Sequence, residues 1–282
     1  MKAFFDSSIK SYGILRIVSQ LEKYMPKGVE RVLDINEADL DIIHVIGRHD
    51  HNVIRSESDL RSGRKYAVLQ YVMQSCRNPR PEQWLDLWGK SKVMWSYYNL
   101  AEWHPGMYLA PLGADPNVFY KEETEKKYLL GTMGDEYRSE CFGEANLAVF
   151  RVMGKMIHIG PKYGENPIVT FAQGITDDEL RNYYNQCRWF SVLRRNDGFE
   201  MIGLEALLCG VRPIMFDTPN YRQWYDGLAE FIPEKSVADT SKNLINVLKS
   251  PERTVTQEEM EFVKNKFNWK TIIEGFWEQC LN

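Results

Sequence analysis

The sequence has few cysteines, no long apolar run and no large excess of either charge, and each shortage removes a class of protein. Its five cysteines, Cys76, Cys141, Cys187, Cys209 and Cys280, are odd in number, widely scattered and never spaced as C-x-x-C. A disulfide framework or a cysteine zinc site is therefore not expected, and a reducing, cytoplasmic compartment is. The chain turns polar after Met1-Lys2-Ala3-Phe4-Phe5, and no apolar stretch approaches the length that crosses a bilayer, so no transmembrane segment is expected. A formal net charge of −4 argues against a dominant nucleic-acid or anionic-membrane surface while leaving room for a local basic groove. Up to Tyr120 there are 15 Lys and Arg against 14 Asp and Glu, which leaves 20 against 25 afterwards, so any acidic bias lies in the second half.

What is present is aromatic and periodic. Eight Trp and fifteen Tyr accompany 44% hydrophobic and 26% charged residues. Such rings bind sugars or bases in some chains and fill cores in most. The 282 residues suffice for one large α/β domain or two small ones, each with its own core.

In the first part of the chain, Lys2 to Phe5 reads as a strand and a polar loop closes on Gly13. Ile14, Val18, Leu21 and Met25 then recur at helical spacing until Pro26. Strand, glycine loop and helix open a doubly wound domain. The apolar runs Leu40 to Gly47, Tyr66 to Met73 and Val93 to Tyr98 suit buried parallel strands. Arg48-His49-Asp50-His51 and Gln74-Ser75-Cys76 follow two of these runs, where open α/β sheets carry ligand loops. His49 and His51 are thus ligand candidates, with a solvated loop as the plainer reading. Two histidines flanking an acid also raise metal binding, but no third ligand is evident and no metal is expected. Arg77, Arg80, Lys90 and Lys92, interleaved with Trp84, Trp88 and Trp95, leave open a groove that stacks bases.

In the second part, the charged run Lys121 to Lys127 has no apolar periodicity and reads as a linker. Strands are expected at Tyr128 to Gly134, Ile157 to Pro161, Ile168 to Gly174, Cys187 to Leu193 and Arg212 to Phe216. Thr176 with Glu179 three residues later forms a capping box for a helix running towards Asn185. Asp217 to Tyr221 reads as a turn, and the chain ends in helices marked by Leu244, Val247 and Leu248, then by Ile272, Ile273, Phe276, Trp277 and Cys280.

The stretch around which the rest is organised runs from Asn196-Asp197-Gly198-Phe199-Glu200 through Glu205 to Cys209-Gly210. Asp197-Gly198 has turn chemistry, a short apolar helix follows, and Gly210 with Pro213 stops it. Three acids, Asp197, Glu200 and Glu205, interrupt this apolar segment, and buried carboxylates need partners. A ligand rich in hydroxyls, such as a sugar, supplies them, and the helix N-terminus suits a diphosphate. The plainer alternative is a loop and helix whose acids face solvent.

This stretch resembles the E-x7-E region of retaining GT-B glycosyltransferases, glycosyltransferase family 4 in particular, with the spacing of the two outer acids kept. Ala110-Pro111-Leu112-Gly113-Ala114-Asp115-Pro116-Asn117-Val118-Phe119 is similar to the family's Pro-x-Gly-Val-Asp-x-x-x-Phe segment. The sequence departs from the family at Asp197, which replaces a Glu, and at Glu200, which replaces a Gly. It departs again at Thr132, where an Arg is usual, and near Gln74, where a His is usual.

The resemblance implies an α/β GT-B fold of two Rossmann-like domains facing a central cleft. The acceptor-side domain would span 1–120 plus about 270–282, and the nucleotide-sugar domain 121–269. It implies transfer of a hexose or pentose from a nucleotide diphosphate sugar to a hydroxyl with retention, using no cofactor and no catalytic metal. The acceptor class, whether glycan, lipid-linked glycan, small molecule or modified DNA base, stays open. By the same resemblance Asp197 and Arg138 are catalytic candidates, and Asp197, Gly198, Phe199 and Glu200 meet the donor sugar. Glu205, Arg138, Arg194, Gly174 and Ile175 meet the nucleotide, and Gly13, His49 and Gln74 lie on the acceptor side. Arg195 is an alternative to Arg194 as a helper cation, both also reading as a surface pair. Two other functions remain at this stage: a catalytically degenerate nucleotide- or sugar-binding protein, and the same chemistry on a hydroxylated base in DNA.

Overall fold

The computed structural model of the chain describes residues 1–5, 12–47, 53–55, 65–70, 85–102, 104–135, 137–138, 140–195 and 198–282. These form two compact units, Met1–Leu112 with Asn196–Phe199 and Trp269–Asn282, and Gly113–Arg195 with Glu200–Asn268.

The first unit holds strands β1 (Lys2–Phe5), β2 (Glu30–Val32), β3 (Leu40–Gly47), β4 (Val53–Arg55), β5 (Lys65–Gln70), β6 (Ser91–Ser96) and β7 (Met107–Leu109), with helices α1 (Tyr12–Lys23) and α2 (Leu85–Gly89). The strand order is β2-β1-β3-β5-β6-β7, all parallel, with β4 antiparallel on β3. The apolar runs that suggested buried strands are such strands: Ile42, Ile43, Ala67, Val68 and Met94 are all buried.

The second unit holds β8 (Tyr128–Met133), α3 (Phe142–Arg151), β9 (Met156–Ile159), β10 (Val169–Ala172), α4 (Asp177–Asn185), β11 (Cys187–Ser191), α5 (Met201–Leu208), β12 (Arg212–Phe216), α6 (Pro219–Tyr225), β13 (Glu230–Ile232), α7 (Val237–Lys249) and α8 (Gln257–Lys266). Its order, β10-β9-β8-β11-β12-β13, is wholly parallel and is the Rossmann order, reversing direction between β8 and β11. The last helix, α9 (Trp269–Leu281), packs with the first unit. There it buries Ile272, Ile273, Phe276 and Trp277, each contributing roughly 1.5–3 kcal/mol. Trp277 Nε1 donates to the Leu21 carbonyl at 3.3 Å.

Local signals explain most boundaries. The Thr176–Glu179 capping box opens α4, and a second one, Thr256–Glu259, opens α8. Gly210 ends α5 at φ 76°, the left-handed position that glycine takes without penalty. One expectation changes. The segment Asp217–Tyr221, read as a turn, instead starts α6: Thr218 accepts from the Tyr221 N–H and Pro219 stands in the first helical turn, where its missing N–H costs nothing. The charged run 121–127 is held by hydrogen bonds to Asn185. The Glu122 N–H donates to the Asn185 side chain at 2.8 Å, and the Thr124 hydroxyl donates to the Asn185 carbonyl at 3.0 Å.

One charge is sealed into the second core. Arg212 on β12 is 1% exposed; its guanidinium donates to the carbonyls of Arg253, Leu228 and Thr254 at 2.9–3.1 Å and pairs with Glu259 at 2.7 Å. It ties the α8 entry to the sheet. Arg212→Ala strands those acceptors and is expected to destabilise the chain by about 3–5 kcal/mol in urea unfolding. A loss under 1 kcal/mol would refute this account.

Candidate functional site

In an open α/β sheet, ligands bind beyond the carboxyl ends of the strands where the order reverses, here the ends of β8 and β11. Gly134 follows β8 and Gly160 follows β9, at φ 145° and 152°. A Cβ on Gly160 would fall 2.2 Å from the Gly134 carbonyl oxygen, so only glycine allows these two turns to approach. The Glu140 carboxylate fills the space a Cβ on Gly134 would need.

Arg194, just past β11, is 8% exposed. Its Nη1 pairs with Glu140 at 3.0 Å, its Nε with Glu200 at 3.5 Å, and its Nη2 donates to the Met133 carbonyl at 2.6 Å. Arg195 turns elsewhere, to Glu144 at 2.7 Å and Glu234 at 3.1 Å, with its guanidinium over the Phe216 ring. Both arginines are thus internal ion-pair partners, not a surface pair.

Glu200 stands at the N-cap of α5 without capping it through its side chain. Its carbonyl accepts from the buried Tyr225 hydroxyl. Burial first, then the Glu200 and Glu205 charges, holds that phenol well above its usual range, so it stays a donor. Glu205, inside α5, is 1% exposed and accepts from the Tyr184 hydroxyl at 2.9 Å. Neither Glu200 nor Glu205 faces open solvent, as the plainer reading had it for the acids of this stretch.

Thr132 is buried in β8, its hydroxyl 2.8 Å from Nδ1 of His158 on the neighbouring strand. Phe142, Tyr163 and Phe171 surround that imidazole. Burial, and next the Arg194 charge, pulls its pKa from 6.5 down to about 4 against the opposing pull of the Gly134 backbone and Asp135.

The remaining candidates are scattered. Arg138 is exposed on the turn before α3, Gly174 is exposed after β10 at φ 67°, and Ile175 beside it is half-buried. Gly13 lies in the first turn of α1 in the first unit. Gly198 and Phe199 also belong to that unit, Phe199 lying 5.8 Å from the Tyr97 ring and Gly198 against Tyr97 and Tyr98. Asp197, His49, His51 and Gln74 lie outside the described residues. The chain has one Asp-x-Asp triplet in its first unit, Asp39-Leu40-Asp41: Asp39 accepts from the Lys2 N–H and Asp41 is buried in β3. Among the described residues no cluster of His, Cys, Asp and Glu is arranged to hold a metal. The four described cysteines are free and buried, which pushes the Cys141 and Cys280 thiols up to about 12.

No family model matches the chain, and no curated protein matches it in sequence. Solved structures do match in fold. The Anabaena protein HepE, solved in complex with UDP and glucose, is 11% identical with TM-score 0.69 over 99% of this chain and 98% of its own. Sucrose-phosphate synthase from Thermosynechococcus elongatus is 13% identical with TM-score 0.67 over 98% and 97%. AviGT4, a glycosyltransferase of avilamycin A biosynthesis, is 8% identical with TM-score 0.62 over 99% and 96%. The fold is GT-B.

Sequence reasoning singled out Glu200, Glu205 and Arg194 but missed Glu140, Tyr184, Tyr225 and His158, whose partners are distant in sequence. The His158 imidazole carries a direct test. Its folded pKa lies below its unfolded one, so the unfolded chain takes up the proton first and stability falls as pH drops from 6.5 towards 4. After allowance for solvent screening the loss is roughly 2 kcal/mol. Urea unfolding between pH 8 and 4 should show it in the wild type and not in His158→Gln; equal slopes would contradict the assignment.

Proposed function

We propose that this chain is a glycosyltransferase that moves a sugar from a nucleotide diphosphate donor to a hydroxyl, with retention and without a catalytic metal. The observation that carries the reading is the arrangement of Arg194, Glu200 and buried Glu205 beyond the β8–β11 reversal, in a sequence where Asp197 and Glu205 keep the spacing of the E-x7-E region. The GT-B fold and the UDP and glucose bound by HepE support it and make a UDP-sugar the first donor to test.

In this reading the α5 N-terminus and Arg194 take the departing diphosphate, whose negative charge grows as the glycosidic bond breaks. Arg138, exposed on the neighbouring turn, is the second cation. Glu205, oriented by the Tyr184 hydroxyl, takes the ribose hydroxyls. Asp197 with the Gly198, Phe199 and Glu200 backbone holds the sugar, and Gly174 and Ile175 lie against the base. Positioning and these fixed charges stabilise an oxocarbenium-like centre without a covalent nucleophile.

Thermal shift and slow-hydrolysis assays with UDP, GDP, ADP and TDP sugars test the reading. Stabilisation by one donor, about 2.7 kcal/mol at a hundredfold excess over its Kd, is expected. Glu205→Gln should weaken that donor about tenfold or more, as loss of a charged hydrogen bond does. Asp197→Ala should abolish turnover. A donor affinity unchanged in Glu205→Gln would remove the ribose role, and silence towards every donor would remove the enzyme.

A further inference from the structure

The second unit carries another charged feature at the opposite end of its sheet. Where β8 and β11 begin and α3 and α7 end, an open depression of about 740 Å³ is lined by Lys126, Lys127, Arg151, Lys155, Arg188 and Lys249. A single carboxylate, Glu252, shares the lining, 3.7 Å from Arg188. Arg151 and Lys249 lie in the last turns of α3 and α7, where a cation complements the helix dipole. The other four bases have no such reason to be there. Burial lowers the pKa of Lys126 despite the nearby Glu252, so its charge is held at a cost.

Apolar side chains border this basic surface. Met153 lines the depression, is 94% exposed, and occupies the left-handed position after α3 (φ 56°) that glycine usually fills. Phe150, one turn earlier, is 62% exposed, and Leu147 is 39% exposed. Large apolar side chains projecting beside clustered lysines match an anionic bilayer interface, where phosphates meet the bases and the rings enter the headgroup layer. A nucleic-acid backbone offers the phosphates but no apolar layer. The chain as a whole is acidic, at net charge −4, so attraction to such a surface has to come from a local patch.

We propose that this face of the second unit docks on an anionic lipid surface, Lys126, Lys127, Arg151, Lys155, Arg188 and Lys249 meeting headgroup phosphates while Phe150 and Met153 insert. The proposal is independent of the donor site.

Co-sedimentation with phosphatidylcholine vesicles, with and without phosphatidylglycerol, tests it. The wild type should pellet with the anionic vesicles only, and less as salt rises. Lys126→Gln, Lys155→Gln and Lys249→Gln should each lower partitioning about fivefold, the factor for one basic residue near an anionic leaflet. The pair Phe150→Ser and Met153→Ser should release the binding that persists at high salt. An unchanged thermal midpoint in each variant confirms that the fold is intact. Equal pelleting with neutral vesicles, variants that bind like the wild type, or salt-dependent binding of duplex DNA with no preference for anionic vesicles would each overturn the proposal.

Discussion

A parallel sheet has to be covered on both faces, and that constraint organises each unit of this protein. The crossovers between parallel strands must travel the length of the sheet, and where they are long enough they become helices, such as α3, α4, α5 and α6 in the second unit, that cover the strands. Every connection then leaves a strand at its carboxyl end. Where the order reverses, between β8 and β11, two connections diverge and leave room beyond the sheet edge. The glycines at 134 and 160 and the pair Arg194–Glu140 occupy that room.

Electrostatics at this point follow from burial. Arg194 is almost wholly shielded, so it requires counter-charges, and Glu140 and Glu200 supply them. The same positive charge reaches His158 and helps to keep its imidazole neutral, while Thr132 takes up one ring nitrogen. Thr132 thus gives the neighbouring strand's histidine a hydrogen-bond partner inside the sheet. Glu140 stands as the anion at Arg194.

Much of the fold was legible because its signals are local. Continuous apolar runs mark β3, β5 and β6, capping chemistry marks α4, and Gly210 marks the end of α5. The α6 helix was not legible, because Thr218-Pro219-Asn220 serves a turn as well as a helix start and only packing of Tyr221 and Tyr225 chooses between them. At the site, Glu200 and Glu205 could be picked out because acids interrupting an apolar helix are conspicuous. Glu140, Tyr184 and Tyr225 could not, since each matters through a partner between 21 and 54 residues away (Tyr184–Glu205, Tyr225–Glu200, Glu140–Arg194).

The sequence by itself determined the α/β class, the Thr176–Glu179 capping box and the apolar helix carrying Glu205, because propensity and periodicity act over one or two turns of chain. Tertiary structure alone decided which charges meet. Six basic residues spread between positions 126 and 249 converge on one end of a sheet in a chain that is acidic overall. Arg194 and Arg195, adjacent in sequence, take different carboxylates because the backbone leaving β11 points successive side chains in different directions. Coulomb interactions depend on distance in space, and only the fold sets that distance.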